Sequence, residues 1–102
     1  MNTEKTFSCY ILFSESLNKF YVGYTSEGAI NRLEKHNASL YGKHFTSQAA
    51  DWKIMLDIKC SNASVARNME LYIKKMKSRK FILKLINQEE ELNIFIQKFQ
   101  SI

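Results

Sequence analysis

The chain has 102 residues and a mass of 12.0 kDa, a length typical of a single domain. Hydrophobic residues make up 45% and charged residues 25%, which argues against a disordered chain, and no apolar stretch is long enough to cross a bilayer. The first residues lack the pattern of a signal peptide. Cys9 and Cys60 form neither a disulfide framework nor a zinc motif. We therefore expect a cytoplasmic protein with reduced thiols and no membrane partner.

The formal net charge of +5 and the isoelectric point near 9.3 favour a polyanionic partner, although many small proteins are mildly basic without one. The basic residues are concentrated in residues 71–84, which contain six lysines and arginines and no acid. Residues 88–102 contain three acids and one base, so the rest of the chain carries 14 bases against 7 acids. The pattern predicts a basic surface on the helices of residues 71–84, with a solvated helix face as the alternative.

The first half of the chain contains three predicted strands and one helix. Aromatic and β-branched residues in 7–13 and 19–25 predict two strands that form a hairpin around the turn between them. A helix is predicted to begin at Gly28 and to run to about Asn37. Residues 38–52 show no regular pattern, and residues 53–60 predict a third, buried strand.

Three helices are predicted in the second half. Polar residues at 61–64 can cap a helix in which apolar residues recur from Val65 to Met76 at helical spacing. A short helix follows from Arg79 to Ile86. Asn87 with Glu90 resembles a capping box, and it precedes the apolar pattern of a terminal amphipathic helix.

The predicted order is therefore ββαβααα, an α/β (α+β) fold with a small three-stranded antiparallel sheet flanked by helices. We expect residues 1–87 to form the functional domain. Residues 88–102 are expected to form a C-terminal amphipathic helix packed on the same domain.

Two tyrosines of the predicted hairpin meet if Phe13 pairs with Phe20. In that register Tyr10 lies opposite Gly23, and Tyr21 is its diagonal neighbour at ~7–8 Å or closer. Gly23 would leave open space beside Tyr10 that a ligand can enter. Cross-strand aromatic packing is the alternative interpretation.

Three more polar residues are candidates for a site. Arg32 and His36 share one face of the first predicted helix, at a spacing of four residues. Glu70 lies beside the apolar stripe of the second helix. Each residue alone is also consistent with an ordinary surface or ion-pair role.

In their order along the chain, these residues resemble the GIY-YIG nuclease family. Cys9-Tyr10-Ile11 and Tyr21-Val22-Gly23-Tyr24-Thr25 are similar to the two halves of its signature. Residues 32–37, Arg-Leu-Glu-Lys-His-Asn, resemble the family's Arg-Leu-x-x-His-Asn helix. Residues 43–46 resemble its aromatic-Thr loop, and Met69-Glu70 resembles its carboxylate helix. The resemblance extends from about residue 7 to 87 and is greatest to compact, single-domain members similar to the nuclease module of the excision-repair nuclease.

The resemblance implies a metal-dependent endonuclease that hydrolyses DNA phosphodiester bonds. Glu70 would hold one Mg²⁺ or Mn²⁺, and Arg32 would bind the scissile phosphate. Tyr10 would act as general base with Tyr21 orienting water or phosphate, although Tyr21 could exchange roles with it and His36 could take the proton itself. No small-molecule cofactor is expected.

The resemblance does not include a separate DNA-binding domain, so affinity is expected to come from lysines that contact phosphates. The predicted contacts are Lys43, Lys53, Lys74, Lys77 and Lys80. Such contacts favour a structure-selective or loosely sequence-specific nuclease, as used in DNA repair or recombination.

The chain departs from the family pattern at Tyr24 and Ile82, where many members carry lysine and asparagine. The alternative is a nucleic-acid-binding module of the same fold with weak or no cleavage.

Overall fold

The computed structural model describes residues 5–38 and 49–100 of the chain. Its elements are β1 (Phe7–Ser14), β2 (Lys19–Thr25), α1 (Ala29–Asn37), β3 (Trp52–Cys60), α2 (Ala63–Met76), α3 (Arg79–Asn87) and α4 (Glu89–Gln100). The predicted order ββαβααα and the α+β class are confirmed. Each helix that the structure describes is too short and too polar to cross a membrane.

The sheet is antiparallel throughout, with strand order β2-β1-β3, so β1 is the central strand. The predicted hairpin register is confirmed, because Phe13 pairs with Phe20 and Tyr10 pairs with Gly23. The register between β1 and β3 shifts after Ile11, where Met55 is the extra residue of a β-bulge. Because side chains alternate along β1, its even-numbered and odd-numbered residues face opposite sides of the sheet.

Each face of the sheet has its own hydrophobic cluster. On one face, Tyr10 and Leu12 pack with Ala29 of α1 and with Trp52. On the other face, the buried residues of the sheet pack against helices α2, α3 and α4. The buried members of this second cluster are Cys9, Ile11, Val22, Ile58, Met69, Ile73, Leu85 and Phe95. Helix α4 thus contributes to the same core as the strands, through Phe95.

Glycine is required at the residue that precedes α1. Gly28 has φ of 91°, a conformation that side-chain-bearing residues rarely adopt. Its N–H donates to the carbonyl of Thr6, and the N–H of Thr6 donates to the carbonyl of Ser26. This backbone pairing holds the end of β2 beside the start of β1 and sets where α1 begins.

The helix caps confirm one of the sequence predictions and correct another. The side chains of Asn62 and Ser78 accept N–H bonds at the starts of α2 and α3. Asn87, predicted to cap α4, is instead the last residue of α3. The only residue between these helices is Gln88, whose N–H bonds the Lys84 carbonyl and whose carbonyl accepts from the Leu92 N–H. The capping-box interpretation of Asn87 is therefore wrong, because α3 continues through that residue.

The start of β3 is held by hydrogen bonds on both sides. The Asp51 carboxylate accepts from the Ser14 hydroxyl at 2.6 Å and from the Ser16 amide at 2.8 Å. The next residue, Trp52, donates its N–H to the Asn37 side-chain oxygen and accepts from the Asn37 amide group. These bonds explain why β3 begins at Trp52, one residue before its predicted start.

Asp51 provides a pH-dependent contribution to stability that can be measured. The Ser14 hydroxyl and the Ser16 amide hold the pKa of Asp51 below its ordinary value. A carboxyl group of this kind stabilises the fold above its ordinary pKa, and that stabilisation is lost as the pH falls through its lower folded value. We expect Asp51→Asn to lower the melting temperature at pH 7, and the difference from wild type to shrink as the pH falls below 4. The exposed Glu34→Gln is the matched control. Parallel melting curves for Asp51→Asn and wild type at every pH would contradict this role.

Candidate active site

Tyr10 and His36 form a buried hydrogen-bonded pair. Tyr10 lies on the central strand β1, and His36 lies in the last turn of α1, which packs on the same face of the sheet. The Tyr10 hydroxyl and His36 Nε2 are 3.0 Å apart, and both residues are almost completely shielded from solvent. The imidazole therefore gives this phenol a nitrogen with which it can exchange a proton.

Gly23 is the backbone position over which the Tyr10 side chain lies. A Cβ added at Gly23 would be 2.6 Å from the Tyr10 hydroxyl oxygen and 2.7 Å from Cζ of the same ring. The expectation that Gly23 leaves room for a ligand is therefore wrong, because the phenol of Tyr10 itself fills that space. Glycine at this position allows the phenol to cross the neighbouring strand and reach His36.

Tyr21 lies on the edge strand β2, beside the buried pair of Tyr10 and His36. Its ring centroid is 4.8 Å from that of His36 and 6.4 Å from that of Tyr10, which confirms the predicted proximity of the two tyrosines. Its ring also contacts Trp52 edge-on, with centroids 6.5 Å apart. Tyr21 is half-buried whereas Tyr10 is fully buried, so Tyr21 is the phenol at the surface of the site.

Helix α1 carries two further residues near this group. Arg32 lies one turn before His36 and is partly buried. Asn37 follows His36, and its two hydrogen bonds to the Trp52 backbone hold the end of α1 against β3. Asn37 thereby positions His36, a role that the sequence analysis did not assign to it. Its place directly after His36 is the only signal of this role in the sequence.

Glu70 lies on α2, and Lys74 connects it to Tyr21. The Lys74 ammonium is 2.7 Å from Glu70 Oε2 and 5.6 Å from the centroid of the Tyr21 ring. Glu70 is only 9% exposed, which is unusual for a carboxylate. A continuous series of contacts therefore joins Tyr10, His36, Tyr21, Lys74 and Glu70, across the β2 edge of the sheet. Four of the five predicted catalytic residues belong to this series, and Arg32 lies one turn from it.

The thiols near this group are structural. Burial, with the nearby Cys60 and Glu70 as smaller contributions, raises the pKa of Cys9 far above its ordinary value. Burial also raises the pKa of Cys60. Both thiols stay protonated at neutral pH and pack as small apolar groups.

The five lysines predicted to contact DNA are distributed over several surfaces. Lys74 and Lys77 lie beside the candidate site, on the last turn and at the C-cap of α2. Lys53 pairs with Phe13, which places it on the sheet face opposite Tyr10. Lys80 lines a separate cleft on α3 that ends at Gln88. Lys43, with the predicted aromatic-Thr loop at 43–46, lies outside the described residues.

A groove of about 420 Å³ adjoins Tyr21, between β2 and the junction of α2 with α3. Its basic residues are Lys19, Lys74, Lys77 and Arg79. Lys19 and Arg79 were not among the residues predicted to contact DNA. Their place in the groove depends on the packing of α3 against the hairpin, for which the sequence carries no local signal.

The comparison with known families identifies the fold. The model of the GIY-YIG catalytic domain matches residues 6–87. The chain belongs to the GIY-YIG family. The predicted resemblance is thus confirmed, and the match includes every residue of the contact series from Tyr10 to Lys74. Neither the curated proteins nor the solved structures include a significant match to the chain. A GIY-YIG catalytic domain is a nuclease domain.

Gly23 offers a test of how this GIY-YIG site is built. We expect Gly23→Ala to lower the free energy of unfolding by about 1–3 kcal/mol, because the new methyl group overlaps the phenol of Tyr10. The measurement is urea unfolding at pH 7. In a Tyr10→Leu background the same substitution is expected to cost much less, since leucine lacks the overlapping hydroxyl and Cζ. Equal costs in the two backgrounds would show that Tyr10 does not occupy the space above Gly23.

Proposed function

We propose that this GIY-YIG protein is an endonuclease that hydrolyses DNA phosphodiester bonds with one divalent cation, Mg²⁺ or Mn²⁺. The observation that carries the proposal is the contact series from the Tyr10–His36 pair through Tyr21 to the shielded carboxylate of Glu70. This contact series brings together an exchangeable proton on the Tyr10–His36 pair, the Lys74 cation and the Glu70 carboxylate. Hydrolysis of a phosphodiester needs these three groups near one phosphate.

The donor set around Glu70 fits a hard cation that shares its coordination with substrate. Within residues 5–38 and 49–100, no group of three or more His, Cys, Asp or Glu side chains could hold a metal. Magnesium binds through one or two carboxylates, together with water and substrate phosphates. Glu70 is a single carboxylate of this kind, and 12% of its side chain is exposed. When bound, the cation would act as a Lewis acid on the phosphate.

Lys74 forms an ion pair with that carboxylate. Its ammonium already pairs with Glu70 Oε2 at 2.7 Å, so a cation that binds Glu70 has to compete with it. Lys74 is about half exposed, and an ammonium on a flexible stem can move to a phosphate oxygen when substrate arrives. Lys74 would then stabilise the negative charge of the transition state from the side of Tyr21.

Arg32 is proposed to hold the scissile phosphate. A guanidinium offers a planar pair of donors that match two phosphate oxygens, and it stays charged at every working pH. Its place one turn before His36 directs it toward the same face of the sheet. The phosphate would then lie between Arg32 and the acidic side of the site.

Tyr10 is proposed to be the general base, with His36 as the group that accepts the phenol proton. The hydrogen bond of 3.0 Å lets the hydroxyl proton pass to His36 Nε2, and the phenolate oxygen can then take a proton from the attacking water. Tyr21 is half-buried at the entrance and would orient the water or phosphate. Tyr10 itself is fully buried.

The proposed contacts with DNA involve phosphates rather than base edges, so a structure-selective or loosely specific activity follows. A nucleic-acid-binding module without cleavage is the second candidate. The basic groove beside Tyr21 supports binding in either case. The two candidates differ only in whether Glu70 and the two phenols act on the bound phosphate.

Glu70→Gln separates the two candidates. With supercoiled plasmid and forked DNA, we expect wild type to cleave in the presence of Mn²⁺ or Mg²⁺ and to be inactive in EDTA. Glu70→Gln should reduce the rate by at least about 100-fold, because it removes several kcal/mol of transition-state stabilisation. The matched control is Glu90→Gln, the same change at an exposed residue of α4, which should cleave at the wild-type rate.

Two results would reject the nuclease proposal. Equal cleavage by Glu70→Gln and wild type would assign the activity to another site or to a contaminant. Intact DNA with every metal, together with a salt-sensitive shift on gels, would favour the binding module.

A further inference from the structure

The groove beside Tyr21 is continuous with the candidate active site. Tyr21 and Lys74 line the groove and also belong to the contact series that leads to Glu70. Its volume of about 420 Å³ is that of a site for a small organic group. Any DNA strand that has its scissile phosphate near Glu70 therefore has a neighbouring nucleotide within reach of this groove.

The rim of the groove is basic. Four of its lining residues are cationic, and none is acidic. The cationic residues are Lys19, Lys74, Lys77 and Arg79. Glu70 is paired with Lys74 and lies outside the lining, so the rim presents positive charge to a ligand. Charge complementarity of this kind favours a phosphate-bearing occupant.

Arg79 is held by two hydrogen bonds and lies over two aromatic rings. Its guanidinium donates to the carbonyl and to the side-chain oxygen of Asn18, at 2.9 and 2.8 Å. It also lies over the rings of Phe20 and Phe13, 5.1 and 5.9 Å from their centroids. A guanidinium has five N–H groups, so these two bonds fix its position and leave it able to bind a phosphate.

The inner wall of the groove is apolar. Phe20 and Val22 contribute from β2, and Ile73 and Ile82 contribute from α2 and α3. Phosphates and sugars alone do not use such a wall. A base that has left its helical stack can bury an apolar face against it, whereas a paired and stacked base cannot reach it.

We propose that this groove binds an unpaired nucleotide next to the scissile phosphate, with its base against the apolar wall and its phosphate at Lys77 and Arg79. The inference rests on the proposed function, because it names the form of DNA that the same site accepts. It predicts a preference for DNA with unpaired nucleotides at the cut, such as single strands and flaps, over continuous duplex.

The test compares two double variants with the same change in charge. Lys77→Gln/Arg79→Gln removes two cations of the groove, and Arg67→Gln/Lys75→Gln removes two exposed cations of α2 that do not line it. Circular dichroism verifies that both are folded. Binding is measured in EDTA by fluorescence anisotropy, which needs no cleavage. The probes are a labelled single-stranded 12-mer, the duplex of the same sequence, and a single strand of equal length made of abasic residues.

We expect the wild-type protein to bind the normal single strand at least about tenfold more tightly than the abasic strand, from burial of one base. It should also prefer the single strand to the duplex. The groove variant should lose affinity for the single strand at least about tenfold, and its salt dependence should fall by about 0.7 in the logarithmic slope, the value for one phosphate on a single strand. The control variant should keep the wild-type slope.

Three results would overturn the proposal: equal losses in the groove variant and its control, equal binding of normal and abasic strands, or duplex binding as tight as single-strand binding.

Failure of the groove proposal is distinguishable from failure of the nuclease proposal. If DNA stays uncut with every metal while the groove variant still differs from its control, the nuclease proposal falls and the groove remains a nucleotide site. If Glu70→Gln abolishes cleavage while the two double variants bind alike, the nuclease stands without this groove.

Discussion

The position of the Tyr10 phenol is the constraint on which the rest of the site depends. Tyr10 lies at the centre of the sheet, where its ring has to cross the neighbouring strand to reach α1. It does so over Gly23, because any larger residue would occupy the place of its hydroxyl. The hydroxyl then meets His36 at 3.0 Å, and Asn37 holds that end of the helix to the start of β3. A buried hydroxyl and a buried imidazole satisfy each other in this arrangement, since either alone would lose the hydrogen bonds it makes in water.

The second feature of the site is that it connects the two faces of the sheet. Tyr10 and His36 lie on the α1 face, whereas Glu70 and Lys74 lie on α2, which packs on the other face. The connection is made at β2, an edge strand, where Tyr21 contacts His36 on one side and Lys74 on the other. An edge strand leaves this junction open to a long polymer, and the basic groove extends away from it. The acid, the cation and the Tyr21 phenol thus lie at one edge of the sheet, whereas Tyr10 is fully buried.

Much of this arrangement could be predicted from local sequence patterns, and the remainder depends on long-range packing. The hairpin register follows from the pairing of Phe13 with Phe20, which fixes Tyr10 opposite Gly23. The sequence could not predict that the Tyr10 phenol fills the space above Gly23, because a glycine next to a tyrosine is equally consistent with an open pocket. Arg79 belongs to the groove only because Asn18, with a positive φ of 53°, presents two oxygens to it from 61 residues away. No periodicity within either segment indicates that contact.

The central claim is that Tyr10 and His36 act as one unit in the cleavage of DNA, and a double-mutant cycle tests it most directly. The rates of single-turnover cleavage of a forked substrate are compared for wild type, Tyr10→Phe, His36→Gln and the double variant. If the phenol acts through the imidazole, each single substitution slows cleavage and the double variant is no slower than the slower single variant. If the two losses multiply, or if Tyr10→Phe cleaves at the wild-type rate, the hydrogen bond between these residues does not serve the reaction.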